Sequence, residues 1–181
     1  MSDSTPNPYP PLGLLGAVWG LVGVTVLLGG AIYRLTPWAI EAFSYSFTPF
    51  QWVVLVGFTL FMLIGEGYRG FQKNFSPRVA ARARHLAGHP TSLRVLLAPL
   101  FLMGFFGATR RRKIATWSLT TGIALLVLGV RLLEQPWRGI IDLGVVLGLA
   151  WGLVALLGFT FRAFSGREFS FPADLESSEP R

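Results

Sequence analysis

The sequence predicts an all-α integral membrane protein: a four-helix transmembrane bundle of two hairpins, with a basic cytoplasmic loop that holds an amphipathic helix and a short re-entrant or interfacial apolar segment. Three observations carry that expectation. Of the 181 residues, 52% are hydrophobic and only 14% charged, and the mean hydropathy is +0.53; a soluble domain averages about a quarter charged residues. Four stretches meet the length that a hydrocarbon core of ~30 Å demands, roughly 20 apolar residues at about 1.5 Å each. Ten of the 16 basic residues lie within 69–113, a stretch without Asp or Glu.

Taken in order, residues 1–11 (MSDSTPNPYPP) contain no Lys or Arg to serve as a signal-peptide n-region, and no small-x-small cleavage site follows the apolar run behind them. They read as a disordered, Pro-rich lead into a retained helix. The spans are 12–33, without a charge; 47–65, stopping at Glu66; 114–133, with Arg131 near its end; and 140–161, with Asp142 just inside. A fifth apolar run, 95–108, reaches only about 21 Å as a helix, and Pro99 interrupts it. It is expected not to span. Residues 12–166 thus form one transmembrane domain, and 167–181 a polar tail.

Orientation follows from the basic stretch. The positive-inside rule places 69–113 in the cytoplasm, and with it both termini. Trp38, Trp52 and Trp137 then fall at the outer boundary and Trp117 near the inner one, as amphipathic rings prefer. Trp19 and Trp151 lie within spans and need another reason.

Zero cysteines exclude disulfides, thiolate metal sites and cysteine nucleophiles, and two histidines leave little for metal or acid–base chemistry. No catalytic residue, cofactor or metal is expected. Gly65-Glu66-Gly67-Tyr68-Arg69-Gly70 matches the letters GxGxxG, but follows an apolar helix rather than a strand, so it reads as a flexible exit from the membrane and not as a dinucleotide fingerprint. Glu66 reads as a boundary carboxylate paired with an Arg, with proton or ion handling as the alternative.

Ser76 is expected to cap a helix whose first residue is Pro77. On that helix Arg78, Arg82, His85 and His89 recur at intervals of four, three and four, a basic stripe suited to anionic headgroups. The candidate headgroup-binding residues are Arg78, Arg82, Arg84, His85, Arg110, Arg111, Arg112 and Lys113. Nucleic acid is not an expected partner, because no recognition module accompanies the charge. At the other end Arg138 and Asp142, four apart, and Arg131 and Glu134, three apart, are candidate interfacial ion pairs with Glu66. Gly144, Gly148 and Gly152 make a small-xxx-small face, as do Gly16 and Gly20, for helix packing or for a partner.

The segments GYRGFQKNFSPRVAARA, LLAPLFLMGFFGATRRRK and QPWRGIIDLGVVLGLAWG resemble those of an uncharacterised group of small multi-pass bacterial inner-membrane proteins. That resemblance implies a bacterial membrane and no site residues.

Three functions fit these residues. The first is a non-catalytic accessory or assembly subunit of a membrane complex, with anionic phospholipids and other membrane subunits as partners. The second is a small transporter or channel in which the broken segment around Pro99 lines a cavity. The third, a lipid-modifying enzyme, lacks a nucleophile constellation or metal motif.

Overall fold

A computed structural model of the chain describes residues 9–165 and 169–175. The disordered lead expected over 1–11 falls largely outside them, and helix α1 already begins at Pro11. Among the described residues the structure is helical: α1 (Pro11–Glu41), a 3-10 turn (Ala42–Ser44), α2 (Pro49–Met62), a π-helical stretch (Leu63–Phe75), α3 (Ser76–Gly88), α4 (Ser92–Leu96), α5 (Ala98–Met103), α6 (Arg110–Val130) and α7 (Trp137–Phe164). Four helical stretches are long and apolar enough to cross a membrane: Pro11–Ser44, Pro49–Gly88, Arg110–Val130 and Trp137–Phe164. The fold is that of a multi-pass helical membrane protein.

Local signals account for the starts. Pro11 and Pro49 occupy the first turns of α1 and α2, where a missing N–H costs nothing. Thr48 and Gln51 form a reciprocal capping box, Gln51 N–H donating to Thr48 Oγ1 at 3.3 Å and Thr48 N–H to Gln51 Oε1 at 2.9 Å.

Helix α7, the last in sequence, is the centre of the bundle. It packs between α1 and the α2–π stretch, while α1 and α2 do not pack extensively on each other. Gly139 of α7 lies against Trp38 and Ala42 at one end, and at the other the rings of Tyr9 and Phe164 are 6.1 Å apart, so α1 and α7 are antiparallel. Successive glycines of α7 meet successive turns of the second helix: Gly144 faces Phe58, Gly148 faces Met62 and Glu66, and Gly152 faces Phe71. Those two helices therefore run parallel. The absence of Cβ atoms is what brings the backbones this close.

The expected two-hairpin pairing is corrected here. Consecutive spans do not pair; α1 and α2 both pack on α7, and α6 packs extensively on none of them and has no buried residue. The bundle proper has three spans, and the fourth stands apart from it.

Two further expectations change. The Gly65–Gly70 letters do not form a flexible exit: the helix runs through them with π spacing, and the N–H of Ser76 donates to Phe71 O, five residues back. Ser76 is consequently no N-cap; it is buried and its hydroxyl donates to Gly152 O at 3.4 Å. Helix α3 is not an amphipathic surface helix either. Val79, Ala80, Ala83, Leu86 and Ala87 are fully buried between α1, α5 and α7. The alanines are small enough for neighbours to close on several sides at once, with Ala87 against Gly13 of α1.

The 95–108 run folds as two helices too short to span. Ala98, Phe101 and Leu102 are buried, and Gly16, Gly20 and Gly23 of α1 receive Val95, Leu102 and Pro99. Pro99 fills a glycine notch rather than lining a cavity. The chain then turns on Gly104 (φ 88°) and Gly107 (φ 59°), left-handed positions that glycine occupies without a Cβ clash, and enters α6.

Candidate functional site: an arginine cluster under the C-terminal segment

The turn at Gly104–Gly107 leaves backbone carbonyls pointing into the protein with no helical partner, and Arg82 of α3 takes them. Arg82 is only 2% exposed. Nη2 donates to Phe106 O at 2.9 Å and Gly107 O at 3.1 Å, and Nη1 to Ala173 O at 3.4 Å. The group also lies 4.4 Å from the ring centroid of Phe101, and Arg94 approaches the same ring at 5.3 Å. Its Nε is buried without an acceptor among the described residues.

One turn before Arg82, Arg78 Nε meets Asp174 Oδ2 at 3.0 Å. Arg112, in the first turn of α6, completes the group; Arg78, Arg82, Arg112 and Asp174 line one cavity of about 10 Å³, roughly the room of one water. Three arginines thus line one cavity with a single carboxylate, and Arg78 is the one that pairs with it among the described residues. Asp174 is held there by its backbone: Thr109 N–H donates to Asp174 O at 3.1 Å, and Leu175 pairs with Ala108 as an isolated antiparallel bridge. Asp174 takes φ 46°, a left-handed conformation that Asp tolerates better than most residues.

The structure therefore sorts the eight candidate headgroup residues. Arg78, Arg82 and Arg112 converge on the cavity, and Arg82, expected on an exposed stripe, is interior. Arg84 Nε donates to Tyr9 Oη at 3.3 Å. His85 stacks on His89 with centroids 4.9 Å apart. Arg110 and Arg111 are exposed at the start of α6, and Lys113 is half-buried. The sequence reading missed Asp174, Arg94 and Phe101. The signal for Asp174 was the phrase Phe169-Ser170-Phe171-Pro172-Ala173-Asp174-Leu175, which alternates apolar residues within a tail expected to be polar.

At the opposite end, Arg138 and Asp142 pair at 3.6 Å, and the Arg138 guanidinium stacks 3.6 Å from the ring centroid of Trp38. Gln135 braces the same corner, donating to Trp38 O at 3.1 Å and accepting from Gly139 N–H at 3.1 Å. Arg131 and Glu134, beyond the end of α6, are exposed and form no ion pair among the described residues. Glu66, expected to pair with an Arg at the boundary, instead packs half-buried beside Gly148 near the middle of α7, and no described basic side chain pairs with it.

Fold and site together define a class: a multi-pass helical membrane protein with a three-span core, a detached fourth span and an arginine cluster under its C-terminal segment. The chain matches no protein-family model, no curated protein and no solved structure.

Proposed function

We propose that the protein is a non-catalytic accessory or assembly subunit of a bacterial inner-membrane complex, docking to a neighbouring subunit through α6. One observation carries this reading: the span with the fewest contacts inside the chain is also the least apolar of the four. A helix surrounded by lipid on every side should be the most apolar. Helix α6 instead carries Thr116, Ser118, Thr120 and Thr121. Ser118, Gly122 and Gly129 share one face by helical spacing, and nothing lies within 4 Å of where a Cβ would stand on Gly122 or Gly129. Small and hydroxyl residues line helix contacts in membranes because they let backbones approach. Arg110 and Arg111, exposed at the foot of the helix, meet anionic phospholipid headgroups in this reading.

The test is isolation of the protein from its own membrane in mild detergent, with native mass and subunit composition measured for the parent chain and for Gly122→Leu. The reading expects a fixed-stoichiometry complex with other subunits that Gly122→Leu releases, while the thermal stability of the isolated chain stays unchanged because α6 lies outside the core. Migration of the parent alone, or a composition indifferent to Gly122→Leu, overturns it.

A small transporter or channel is the second reading, and Glu66 is the observation that favours it. A carboxylate without a basic partner among the described residues, within a π-helical stretch and against the central helix, is an arrangement suited to proton or ion handling. Proteoliposomes in which Glu66→Gln abolishes a measured flux would support it, and absence of flux from the parent would dismiss it.

A further inference from the structure

We propose that Arg78, Arg82 and Arg112 form a binding site for a phosphate group, and that Asp174 of the chain's own C-terminal segment holds this site closed as an internal substitute for the anion. This inference does not depend on the docking role of α6.

Charge is the first argument. The three arginines come from two separate elements, α3 and the first turn of α6, and line one cavity with a single carboxylate, which only Arg78 meets at ion-pair distance among the described residues. Like charges so gathered repel, and a single carboxylate offsets only part of that repulsion. A cluster built only to be a structural ion pair would need one arginine for one aspartate. Inorganic phosphate has up to two negative charges and a phosphodiester one, and either offers more acceptor oxygens than a carboxylate, enough for paired donors from more than one guanidinium group.

The unused donor is the second argument. Arg82 is 2% exposed, yet its Nε has no acceptor among the described residues while both Nη atoms are engaged with carbonyls. A buried donor left unmade costs free energy in the closed form. Arg82 lines the cavity, and in the proposed complex a phosphate oxygen entering it supplies the acceptor that this donor lacks. The Phe106 and Gly107 carbonyls and the Phe101 ring hold the guanidinium in place independently of the C-terminal segment, so three of its four hydrogen-bond and ring partners survive when that segment leaves.

The third argument is how the segment is attached. Among the described residues its polar hold is the Arg78–Asp174 pair, one weak hydrogen bond to Arg82 at 3.4 Å, one backbone bond from Thr109 and the single bridge at Leu175, and its apolar hold is the Phe171 ring 5.4 Å from that of Phe159 and Leu175 against the core. No regular sheet among the described residues fastens it. With the segment seated, the cavity of about 10 Å³ has no room for phosphate. Binding therefore requires the segment to lift, and the ligand's apparent affinity is reduced by the fraction of molecules that are closed.

The phosphate can belong to a phospholipid headgroup or be free in solution, and one experiment separates these sources. Dissociation constants are measured on the full-length chain in neutral detergent for phosphatidylglycerol, by native mass spectrometry, and for inorganic phosphate, by calorimetry. Asp174→Asn keeps the shape of the segment and removes its charge. It is expected to tighten binding by roughly tenfold if nine molecules in ten are closed, and Arg112→Gln, at a half-buried position outside the core, is expected to reverse that gain. A gain for phosphatidylglycerol alone assigns the site to a lipid; a gain for inorganic phosphate assigns it to the free anion. A label on Ser170→Cys, exposed on the segment in a chain without native cysteine, is expected to report greater mobility when ligand is added. If Asp174→Asn lowers the melting temperature and leaves both dissociation constants unchanged, the cluster is a structural ion pair and the proposal is wrong.

Discussion

Trp151 of α7 donates its indole N–H to the side-chain oxygen of Gln72 at 2.7 Å, and its Cβ and ring lie over Gly67. That contact supplies the reason a tryptophan stands in the middle of a span. A hydrogen-bonding group carried into the hydrocarbon region needs a partner there even on the outer surface of the bundle, and Gln72 of the π-helical stretch provides it. Trp19 follows the same logic, donating to Leu96 O at 3.4 Å, where helix α4 ends.

The Trp151–Gln72 bond should be measurable as a coupling. Trp151→Phe keeps the ring against Gly67 and loses the donor, and Gln72→Met removes the acceptor at similar volume. In a double-mutant cycle read by unfolding in mixed micelles, the interaction energy is expected at about 0.6 kcal/mol and no more than about 1.7 kcal/mol, the range found for hydrogen bonds between membrane helices. Strict additivity of the two substitutions would show that the bond contributes nothing.

The glycines of α7 should rank by what a Cβ would meet. At Gly139 it would collide with Ala42 Cβ and stand 2.6 Å from the backbone oxygen of Trp38, which cannot move without shifting α1. At Gly148 the nearest atoms, Glu66 Oε2 and Met62 O, are 3.5 Å away, ordinary contact. Gly139→Ala is therefore expected to lose about 1–3 kcal/mol by overpacking, and Gly148→Ala to stay within about 0.5 kcal/mol. Thermal unfolding of the two variants in one detergent decides it; equal losses would contradict the packing described.

How much of this the letters carry depends on the kind of information involved. The spans are legible because length and apolarity are local, and every expected span lies inside or overlaps one of the four candidate helices. The glycine faces at Gly16, Gly20, Gly144, Gly148 and Gly152 are legible for the same reason, a repeat of four being a property of one helix. The role of Arg82 is not. In sequence it stands on a regular basic stripe, and only the distant turn at Gly104–Gly107 provides the carbonyls that bring it inside. The pairing of spans is equally illegible: nothing in a short connection between α6 and α7 says that α7 will choose α1 and α2 instead. Asp174 lies 92 positions beyond Arg82, as the numbering shows, in a segment whose composition reads as tail.

Breaking the Arg138–Asp142 pair should be asymmetric. Asp142 is 3% exposed, so Arg138→Gln leaves its carboxylate buried without a counter-charge, a change that costs about 3–5 kcal/mol where such pairs are broken from one side. Asp142→Asn leaves an arginine that keeps the Trp38 ring and has partial access to solvent. Urea unfolding of the detergent-solubilised variants is expected to place Arg138→Gln well below Asp142→Asn, and the reverse order would mean that the arginine, not the aspartate, is the costly group.

The last prediction concerns the membrane itself. The ends of α1 and α7 that carry Tyr9 and Phe164 are neighbours, and the arginine cluster lies toward that same end of the bundle, whereas the α1–α2 connection holding Ser44 lies at the other, beside the Gly139 corner. Ser92 and Ser44 are both exposed, so each can be replaced by cysteine without disturbing packing, in a chain that has no other thiol. With the basic end in the cytoplasm, cysteine at Ser92 is expected to resist an impermeant thiol reagent in intact cells and to react after lysis, and cysteine at Ser44 to react in both. Ser2 and Ser177, which should behave like Ser92, lie outside the described residues. Protection of Ser44 with labelling of Ser92 would invert the orientation, and labelling of both in intact cells would mean that the second helical stretch, from Pro49 onward, does not cross.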